Sequence, residues 1–263
     1  MMNEQPTPGS MEGVLTSETM ATLHQRVSVR DYADKPVTDE TIDAVLAAAF
    51  RAPTSSNIQS YSVIVVRDQA TKDALSVVTG GQKHVAKTPV FLAFCADLTR
   101  IETAKKRAGS NLNDNNLEMG LVSTIDASLV GMSAYLAAES VGLKGLMIGA
   151  VRNDTLKTAE ILGLPKRVYC VFGMCLGWPG KVPPQKPRMD RLATVHHERW
   201  GAGPAGKQDE LLTQYDRDLA AHYESRGMRT APDSWSAEIN AKFNNDLRKT
   251  LRGDLKKLGF DFI

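Results

Sequence analysis

The sequence has few of the features that mark secreted, membrane-bound or nucleic-acid-binding proteins. Among 263 residues there are only three cysteines, Cys95, Cys170 and Cys175, and each stands inside an apolar run. Such an odd, sparse count argues against a disulfide framework and predicts buried thiols in a reducing compartment. The net charge is only +2, which gives no strong field for attracting nucleic acid or a membrane surface.

Motifs of metal and hydrolytic chemistry are also missing. The chain contains no G-x-S-x-G, C-x-x-C or H-E-x-x-H sequence, so nothing in it indicates a hydrolase or a metalloenzyme, and no metal is expected. The longest apolar stretch, residues 121–143, carries Asp126 and Glu139, which argues against a membrane span. Residues 1–16 lack the pattern of a signal peptide. We expect a flexible tail there and a cytoplasmic protein.

The composition that is present is typical of a globular protein, with 42% hydrophobic and 24% charged residues. Helical and strand patterns alternate as far as residue 178. Apolar and β-branched runs predict strands at 61–66, 89–96, 145–151 and 168–178. Amphipathic segments predict helices at 17–26, 39–52, 69–79 and 153–164, the first two capped by Ser17 and Thr38.

Residues 117–143 predict one long helix that is apolar on most sides and must therefore be buried all round. The sheet on one face and a second subunit on the other are its expected partners. A proline-rich linker follows Trp178, and residues 208–263 predict two amphipathic helices. We therefore expect an α+β fold with a mixed central sheet flanked by helices. Its divisions would be the tail 1–16, a core 17–200 and a C-terminal helical extension 201–263.

Two short segments suggest an anion-binding site. In "RVSVRDY", Arg26, Ser28 and Arg30 alternate, so an extended chain would point them the same way. Lys186 and Arg188 alternate around a proline in "KPR". Two pairs of cations converging with a hydroxyl would suit a phosphate group. A surface strand with salt bridges would show the same alternation at residues 26–30. The residues alone therefore leave open both an anion-binding site and a surface strand.

A polar loop lies between these segments. It is "APTSSNIQS", residues 52–60, and it is dense in hydroxyls and amides. Such a loop suits the hydroxyls and ring edges of a ligand, and a plain polar turn is the alternative.

Several stretches, in this order, resemble the flavin-dependent nitroreductase family, and within it the oxygen-insensitive, NADPH-preferring branch of nitroreductases and flavin reductases. The resemblance runs from about residue 18 to the end of the chain. The stretches that carry it are "RVSVRDYADKPV", "RAPTSSNIQSYSVIVV", "TGGQKHVAKTPVFLAFCAD", "GLMIGAVRN", "VFGMCLGWP", "KPR", "QYDRDLAAHYESRG" and "DSW".

The resemblance implies an interlocked homodimer that holds one FMN per subunit at its interface. Carried over by motif, Arg26, Ser28, Lys186 and Arg188 would hold the FMN phosphate. Arg30 would lie near the pyrimidine edge of the flavin ring, where a cation stabilises developing negative charge.

The remaining implied flavin contacts come from three other stretches. Gln82 would hydrogen-bond the pyrimidine edge, and His84 would flank it. The polar loop of the other subunit would contact the flavin or its ribityl chain, and the end of the third strand would run along the other ring edge. The loop residues are Thr54, Ser55 and Ser56. The residues at the end of the third strand are Ile148, Gly149 and Ala150.

The resemblance also implies NADPH as the electron donor. In this branch, arginines of the loop "SRGMRTAPDSW" bind the 2′-phosphate of NADPH. Arg226 matches one of them, a second expected position holds Ala231, and Arg229 is the available substitute. Alternatively, these cations lie at a solvated helix end, where positive charge is favourable. The use of NADH in place of NADPH stays open.

The function implied is that of an FMN-dependent NAD(P)H oxidoreductase that reduces nitroaromatics, quinones or related planar acceptors by ping-pong hydride transfer. One alternative is a free-flavin reductase that supplies reduced flavin. Another is a flavin-binding protein without turnover. Neither nucleic acid nor a membrane is an expected partner.

Overall fold

The computed structural model of the protein describes residues 17–113, 117–201, 207–228, 234–244 and 246–261. The predicted tail 1–16 lies outside them. Within the described residues, four strands form one sheet in the order β1-β2-β4-β3. They are β1 (Tyr61–Val66), β2 (Val90–Asp97), β3 (Lys144–Ile148) and β4 (Val168–Gly177). All four lie where the sequence predicts a strand.

The pairing of these strands corrects one expectation. Each of the three pairings in the described sheet is antiparallel, so the predicted mixed sheet is wrong for this part of the chain. The central strands β2 and β4 are almost continuously buried. Helices cover both faces of the sheet, so the strands are unbroken apolar runs in the sequence. Parallel and antiparallel strands that are covered on both sides share this pattern.

Ten α-helices occur in the described ranges. Those of the core are α1 (Glu18–Gln25), α2 (Asp39–Ala49), α3 (Gln69–Val78), α4 (Lys83–Lys87), α5 (Thr99–Arg107), α6 (Leu117–Ser140) and α7 (Thr155–Leu162). The predicted caps are confirmed, because the hydroxyls of Ser17 and Thr38 accept hydrogen bonds from the backbone amides of Met20 and Thr41. Helices α4 and α5 were not predicted.

The C-terminal extension has three helices where the sequence predicted two. They are α8 (Gln208–Glu224), α9 (Trp235–Phe243) and α10 (Leu251–Lys257). The second predicted helix is interrupted after Asn244, and Arg248 in the interruption has a positive φ of 52°, which a helix cannot contain. The last helix then packs its Leu255 and Leu258 into the main core.

The sheet has a hydrophobic core on each face. Helices α2 and α6 cover one face, and α3, α4 and α7 pack on the side of the other. The three cysteines are buried and unpaired, as predicted. By length and composition α6 could cross a membrane, but here it is the core helix that packs across the sheet.

Helix α6 is buried where it faces the sheet and its neighbouring elements, so the expected all-round burial is not met within one chain. Its other side exposes an apolar stripe of five large side chains spaced one turn apart. They are Leu117, Leu121, Ile125, Leu129 and Met132. We call this set the α6 stripe.

A buried carboxylate on α6 fixes the polar loop. Asp126 is 0% exposed. One oxygen accepts the backbone N–H of Ser55 at 3.0 Å, and the other accepts the N–H and hydroxyl of Ser60 at 3.0 and 2.8 Å. Between these anchors Ser56, Asn57 and Gln59 all have positive φ. Left-handed backbone is costly for residues other than glycine, so the loop depends on such anchors.

We predict that Asp126→Ala lowers the free energy of unfolding by about 3 kcal/mol. The substitution removes a buried charged acceptor and leaves the donors of Ser55 and Ser60 without a hydrogen-bond partner. Urea unfolding would measure this, with the exposed Ser128→Ala on the same helix as the control. Asp126→Asn keeps the size and one acceptor oxygen and should lose less. A loss under about 1 kcal/mol in Asp126→Ala would contradict the anchoring role.

Candidate functional site

The segment 26–30 presents the alternation that the sequence predicted. Val27 and Val29 are buried, whereas Arg26, Ser28 and Arg30 face outward. The segment is tied to the edge of the sheet, because the N–H of Val29 donates to the carbonyl of Gly145 in β3 at 3.1 Å. The alternation follows from this extended backbone.

The three outward side chains line one pocket of about 380 Å³ beside β3. The rest of its wall is mostly apolar and comes from α1, α6 and β3. It consists of Leu23, Met132, Tyr135, Leu146 and Met147. The pocket therefore combines two guanidinium groups and a hydroxyl with a largely apolar wall, as expected for a ligand with both an anionic group and a flat apolar part.

Tyr135 orders the wall of this pocket. Its hydroxyl lies 3.1 Å from the carbonyl oxygens of both Val27 and Gly145, so it joins the segment 26–30 to β3. The guanidinium of Arg26 lies 5.7 Å from the centre of the Tyr135 ring. Burial raises the pKa of Tyr135 to about 12, with Glu139 adding to the effect. The hydroxyl is therefore neutral at physiological pH.

His84 lies close to Arg30. Burial lowers the pKa of the His84 imidazole, and the positive charge of Arg30 lowers it further. Its Nε2 atom is buried and has no hydrogen-bond partner within the described part of the chain. Gln82 precedes α4 and is half-buried, and its carbonyl accepts the Ser76 hydroxyl at 3.0 Å. His84 of α4 is thus close enough to Arg30 to feel its charge, and the flavin contacts of Gln82 and His84 stay a prediction.

The second basic segment runs beside the first. The side-chain amide of Gln185 lies 2.6 Å from the carbonyl of His24 and 3.0 Å from that of Arg26. The start of the second basic segment therefore lies beside residues 24 and 26, and Lys186 and Arg188 follow it as exposed residues. Their joint binding of one anion stays a prediction.

Lys186 is held by the C-terminal extension. Its ammonium donates to the hydroxyl of Tyr223, and that hydroxyl donates to the carboxylate of Glu238. Burial raises the pKa of Tyr223 to about 12, and Glu238 raises it as well. These two hydrogen bonds connect Lys186, which is predicted to bind phosphate, to α8 through Tyr223 and to α9 through Glu238.

Arg226 lies in the same region. It is exposed just beyond the end of α8, and its N–H donates to the carbonyl of Tyr223 at 3.1 Å. Burial lowers the pKa of the neighbouring His222, and the charges of Arg226 and Lys186 lower it further. Arg229 lies outside the described residues.

Ile148, Gly149 and Ala150 follow Met147 at the end of β3, where the chain turns into a short 3₁₀ segment, Gly149–Asn153. Ile148 is buried, and the next two residues are half-buried. The carbonyl of Gly149 accepts a hydrogen bond from Arg248 at 3.2 Å. Arg248 belongs to the C-terminal extension and was not singled out in the sequence.

Of the predicted FMN contacts among the described residues, Arg26, Ser28 and Arg30 line this pocket, and the polar loop is among the parts that do not. Thr54, Ser55 and Ser56 precede β1, at one edge of the sheet, whereas the segment 26–30 lies beyond β3, at the other edge. Four strand spacings separate them, which is about 19 Å. Within one subunit they cannot contact one ligand group.

Two positioning residues, Asp126 and Tyr135, were not predicted from the sequence. Asp126 stands in an apolar helix, and a buried carboxylate needs hydrogen-bond partners, which marks it as an anchor. Tyr135, in the same helix, reads as a core residue and carries no signal of its link to the segment 26–30.

Comparison with known proteins identifies the family. The sequence model of the Nitroreductase family matches residues 23–178, and that of its C-terminal domain matches residues 186–263. The chain therefore belongs to the Nitroreductase family, in agreement with the motif resemblance.

Individual relatives match over almost their whole length. The chain is 38% identical over 244 residues to an oxygen-insensitive NADPH nitroreductase of Salmonella typhimurium, covering 93% of this chain and 98% of the relative. It is 33% identical over 247 residues to an FMN reductase (NADPH) of Bacillus subtilis, covering 93% and 99%. The structure of B. megaterium NfrA2 superposes with a TM-score of 0.89 at 32% identity, covering 94% and 100%.

The residues of the pocket fit an FMN group. Arg26, Ser28 and the adjacent Lys186 offer donors of the kind that bind phosphate. The apolar wall suits a ring system, and the buried Nε2 of His84 lacks a partner that a polar ring edge could supply.

We predict that His84 makes the protein less stable at acid pH. Its pKa in the folded protein lies below the unfolded value of about 6.5, so the unfolded state binds more protons and stability falls as the pH drops below about 6.5. His84→Gln should therefore lose less stability than the wild type between pH 7.5 and 5, measured by urea unfolding. The exposed His197→Gln should follow the wild type, and identical losses in all three proteins would contradict the assignment.

Proposed function

We propose that this protein is an FMN-dependent NAD(P)H oxidoreductase that reduces nitroaromatics, quinones or related planar acceptors. The observation that carries the proposal is the pocket lined by Arg26, Ser28 and Arg30, with the start of the Lys186 and Arg188 segment bonded to the backbone at residue 26 through Gln185. Relatives named as NADPH nitroreductase and FMN reductase support it. The cytoplasmic location expected from the sequence stays a prediction.

The bound FMN would supply the hydride chemistry. Arg26, Ser28, Lys186 and Arg188 would hold its phosphate, each through charged or hydroxyl donors. The Gln185 bonds to the backbone at residues 24 and 26 fix the spacing of these donors. Tyr223 would hold Lys186 in place from the C-terminal extension.

The flavin ring would lie beyond the phosphate, against the apolar wall and the end of β3. Arg30 and Gln82 would face its pyrimidine edge, and the fixed positive charge of Arg30 would favour negative charge there. His84, kept neutral by burial and by Arg30, can hydrogen-bond at that edge without adding a second cation. Ile148, Gly149 and Ala150 would border the other edge.

We further propose that the site is completed by a second copy of the chain. The polar loop with Thr54, Ser55 and Ser56 lies about 19 Å from its own subunit's pocket, so its predicted contacts need a neighbouring subunit. The α6 stripe offers an apolar surface for that association, with Ile125 54% exposed. An exposed apolar stripe of this length is typical of an interface.

The NADPH phosphate would bind near Arg226, at the end of α8. Arg226 lies beside Lys186 and His222, so the nucleotide would approach next to the FMN phosphate region. Arg229 is the second proposed contact. Reduction of free flavin is the alternative function, favoured by the relative named FMN reductase (NADPH), and activity with free FMN against a nitroaromatic acceptor would separate the two.

The proposed function predicts that NADPH bleaches the flavin absorbance of the purified protein under anaerobic conditions. Loss of one charged contact costs roughly tenfold or more in binding, so Arg226→Ala should raise the NADPH concentration needed by about that factor and leave the NADH titration unchanged.

Arg217→Ala, which removes an exposed arginine from α8, is the matched control for this titration. An equal effect of Arg226→Ala on both nucleotides would remove Arg226 from the 2′-phosphate site. A flavin that neither nucleotide bleaches would contradict the reductase and favour a flavin-binding protein without turnover.

The shared site predicts two ways of losing FMN. Ile125→Glu should place a charge on the α6 stripe, give monomers and release FMN, because each flavin would lose the partner's loop. Arg188→Ala should release FMN at least tenfold more readily while the protein stays dimeric. Sedimentation and flavin absorbance would measure both. FMN retained in a monomeric Ile125→Glu protein would refute the shared site.

A further inference from the structure

A second and larger cavity lies next to the pocket already described. Its volume is about 630 Å³, and it is bounded by the segment 31–37, the end of β1, helix α3 and residues 87–89. Arg30 is the one residue that lines both cavities. The site assigned to FMN uses none of the other side chains.

The side chains around this cavity are unusually basic. Five cations and two carboxylates line it, a local excess of +3 in a chain whose total net charge is +2. Of the five, Arg67 alone forms an ion pair among the described residues, with Asp39 at 2.9 Å. The cations are Arg30, Lys35, Arg67, Lys72 and Lys87, and the carboxylates are Asp31 and Asp34.

Lys72 is the most informative of these residues, since it is only 6% exposed. Its ammonium donates to the carbonyl of Thr88 at 2.9 Å, which uses one of three donor hydrogens. No carboxylate of the described residues lies within ion-pair distance of it. The exposed carboxylate of Asp68, one turn earlier in the chain, interacts electrostatically with Lys72 without forming an ion pair. A buried lysine without a bonded anion is costly, so a further anion would stabilise it.

Arg67 also has a donor to spare. Its Nη1 donates to the carbonyl of Val37 at 2.7 Å, whereas its Nη2 is buried and has no hydrogen-bond partner in the described ranges. A guanidinium held on one side by Val37 and Asp39 presents its remaining donors in a fixed direction. The cavity is thus lined by an arginine that is held by Val37 and Asp39 and by a buried lysine with two unused donor hydrogens.

We propose that this cavity binds a small phosphate-bearing anion. Its volume lies within the range of small-molecule sites. A concave surface with an excess of cations concentrates the positive field and attracts anions. Arginine and lysine together bind phosphate oxygens, the former by two parallel hydrogen bonds and the latter as a point charge. Lys72, Arg67 and Lys87 are the ligands, and this assignment does not rest on the bound FMN.

The cavity contains its own spectroscopic reporter. The ammonium of Lys35, which lines the cavity, lies 3.7 Å from the centre of the Trp178 ring. The indole N–H donates to the carbonyl of Pro36, also in the lining, at 3.0 Å. An anion that draws Lys35 toward itself therefore changes the surroundings of Trp178 and its fluorescence.

The test titrates the FMN-loaded protein with inorganic pyrophosphate at constant ionic strength, followed by calorimetry and tryptophan fluorescence. The expected result is saturable binding of one ion per chain, weakened about tenfold or more by Lys87→Gln and by Arg67→Gln. Lys105→Gln, which removes an exposed lysine of α5, is the matched control and should bind like the wild type. Retained flavin absorbance shows that each variant is folded and that the FMN site is intact.

Three results would overturn the proposal. The first is the absence of saturable binding, and the second is binding that the Lys87 and Arg67 variants leave unchanged. The third is binding that Arg226→Gln abolishes and Lys87→Gln does not, which would place the ion near the end of α8 instead. None of these results would bear on the reductase activity, which is measured separately by flavin bleaching.

Discussion

The packing of α6 across the sheet determines where two parts of the site lie. At the edge formed by β1, the buried carboxylate of Asp126 holds the polar loop through three hydrogen bonds. At the other edge, the hydroxyl of Tyr135 holds the segment 26–30 against β3. Both anchors are polar groups buried in an apolar helix, where an unbonded donor or acceptor would be costly. The same helix therefore fixes two parts of the site that are a sheet's width apart.

The charges of the site are unevenly distributed, although the chain is nearly neutral overall. Cations cluster around Arg30, and Lys186 and Arg226 lie near Tyr223. Buried or half-buried neutral groups lie beside both sets. The pKa of His84 falls because it is buried and faces Arg30. The pKa of Tyr223 rises because it is buried and bonded to Glu238. These neutral groups can form hydrogen bonds with a ligand without adding further charge to the site.

Local signals in the sequence were sufficient for most of the core. Ser17, Thr38 and the apolar runs located helices and strands because caps and periodicity act over a few residues. The alternation of Arg26, Ser28 and Arg30 was readable for the same reason, since Val27 and Val29 show which side is buried. The direction of strand pairing was not readable, because strands covered on both faces look alike in either arrangement.

Long-range contacts explain what the sequence did not show. The convergence of residue 186 with residue 26 depends on Gln185, whose partners are about 160 positions earlier in the chain, and no local pattern encodes it. Lys72 looked like an ordinary helical lysine, and only its burial beside Thr88 distinguishes it. The flavin itself came from the family resemblance and not from composition or spacing. Assignment of the individual ligands to it stays a prediction.

The two anchors of α6 also constrain how this protein can change in evolution. Asp126 and Tyr135 are fixed to different parts of the chain, and each helical residue turns the helix by about 100°. A single insertion or deletion between them would rotate one anchor away from its partners while the other stayed in place. The α6 stripe can therefore drift among apolar residues, whereas the number of residues between the anchors must stay constant. Length variation should instead collect in the segments that connect the elements, where no pair of anchors sets the register.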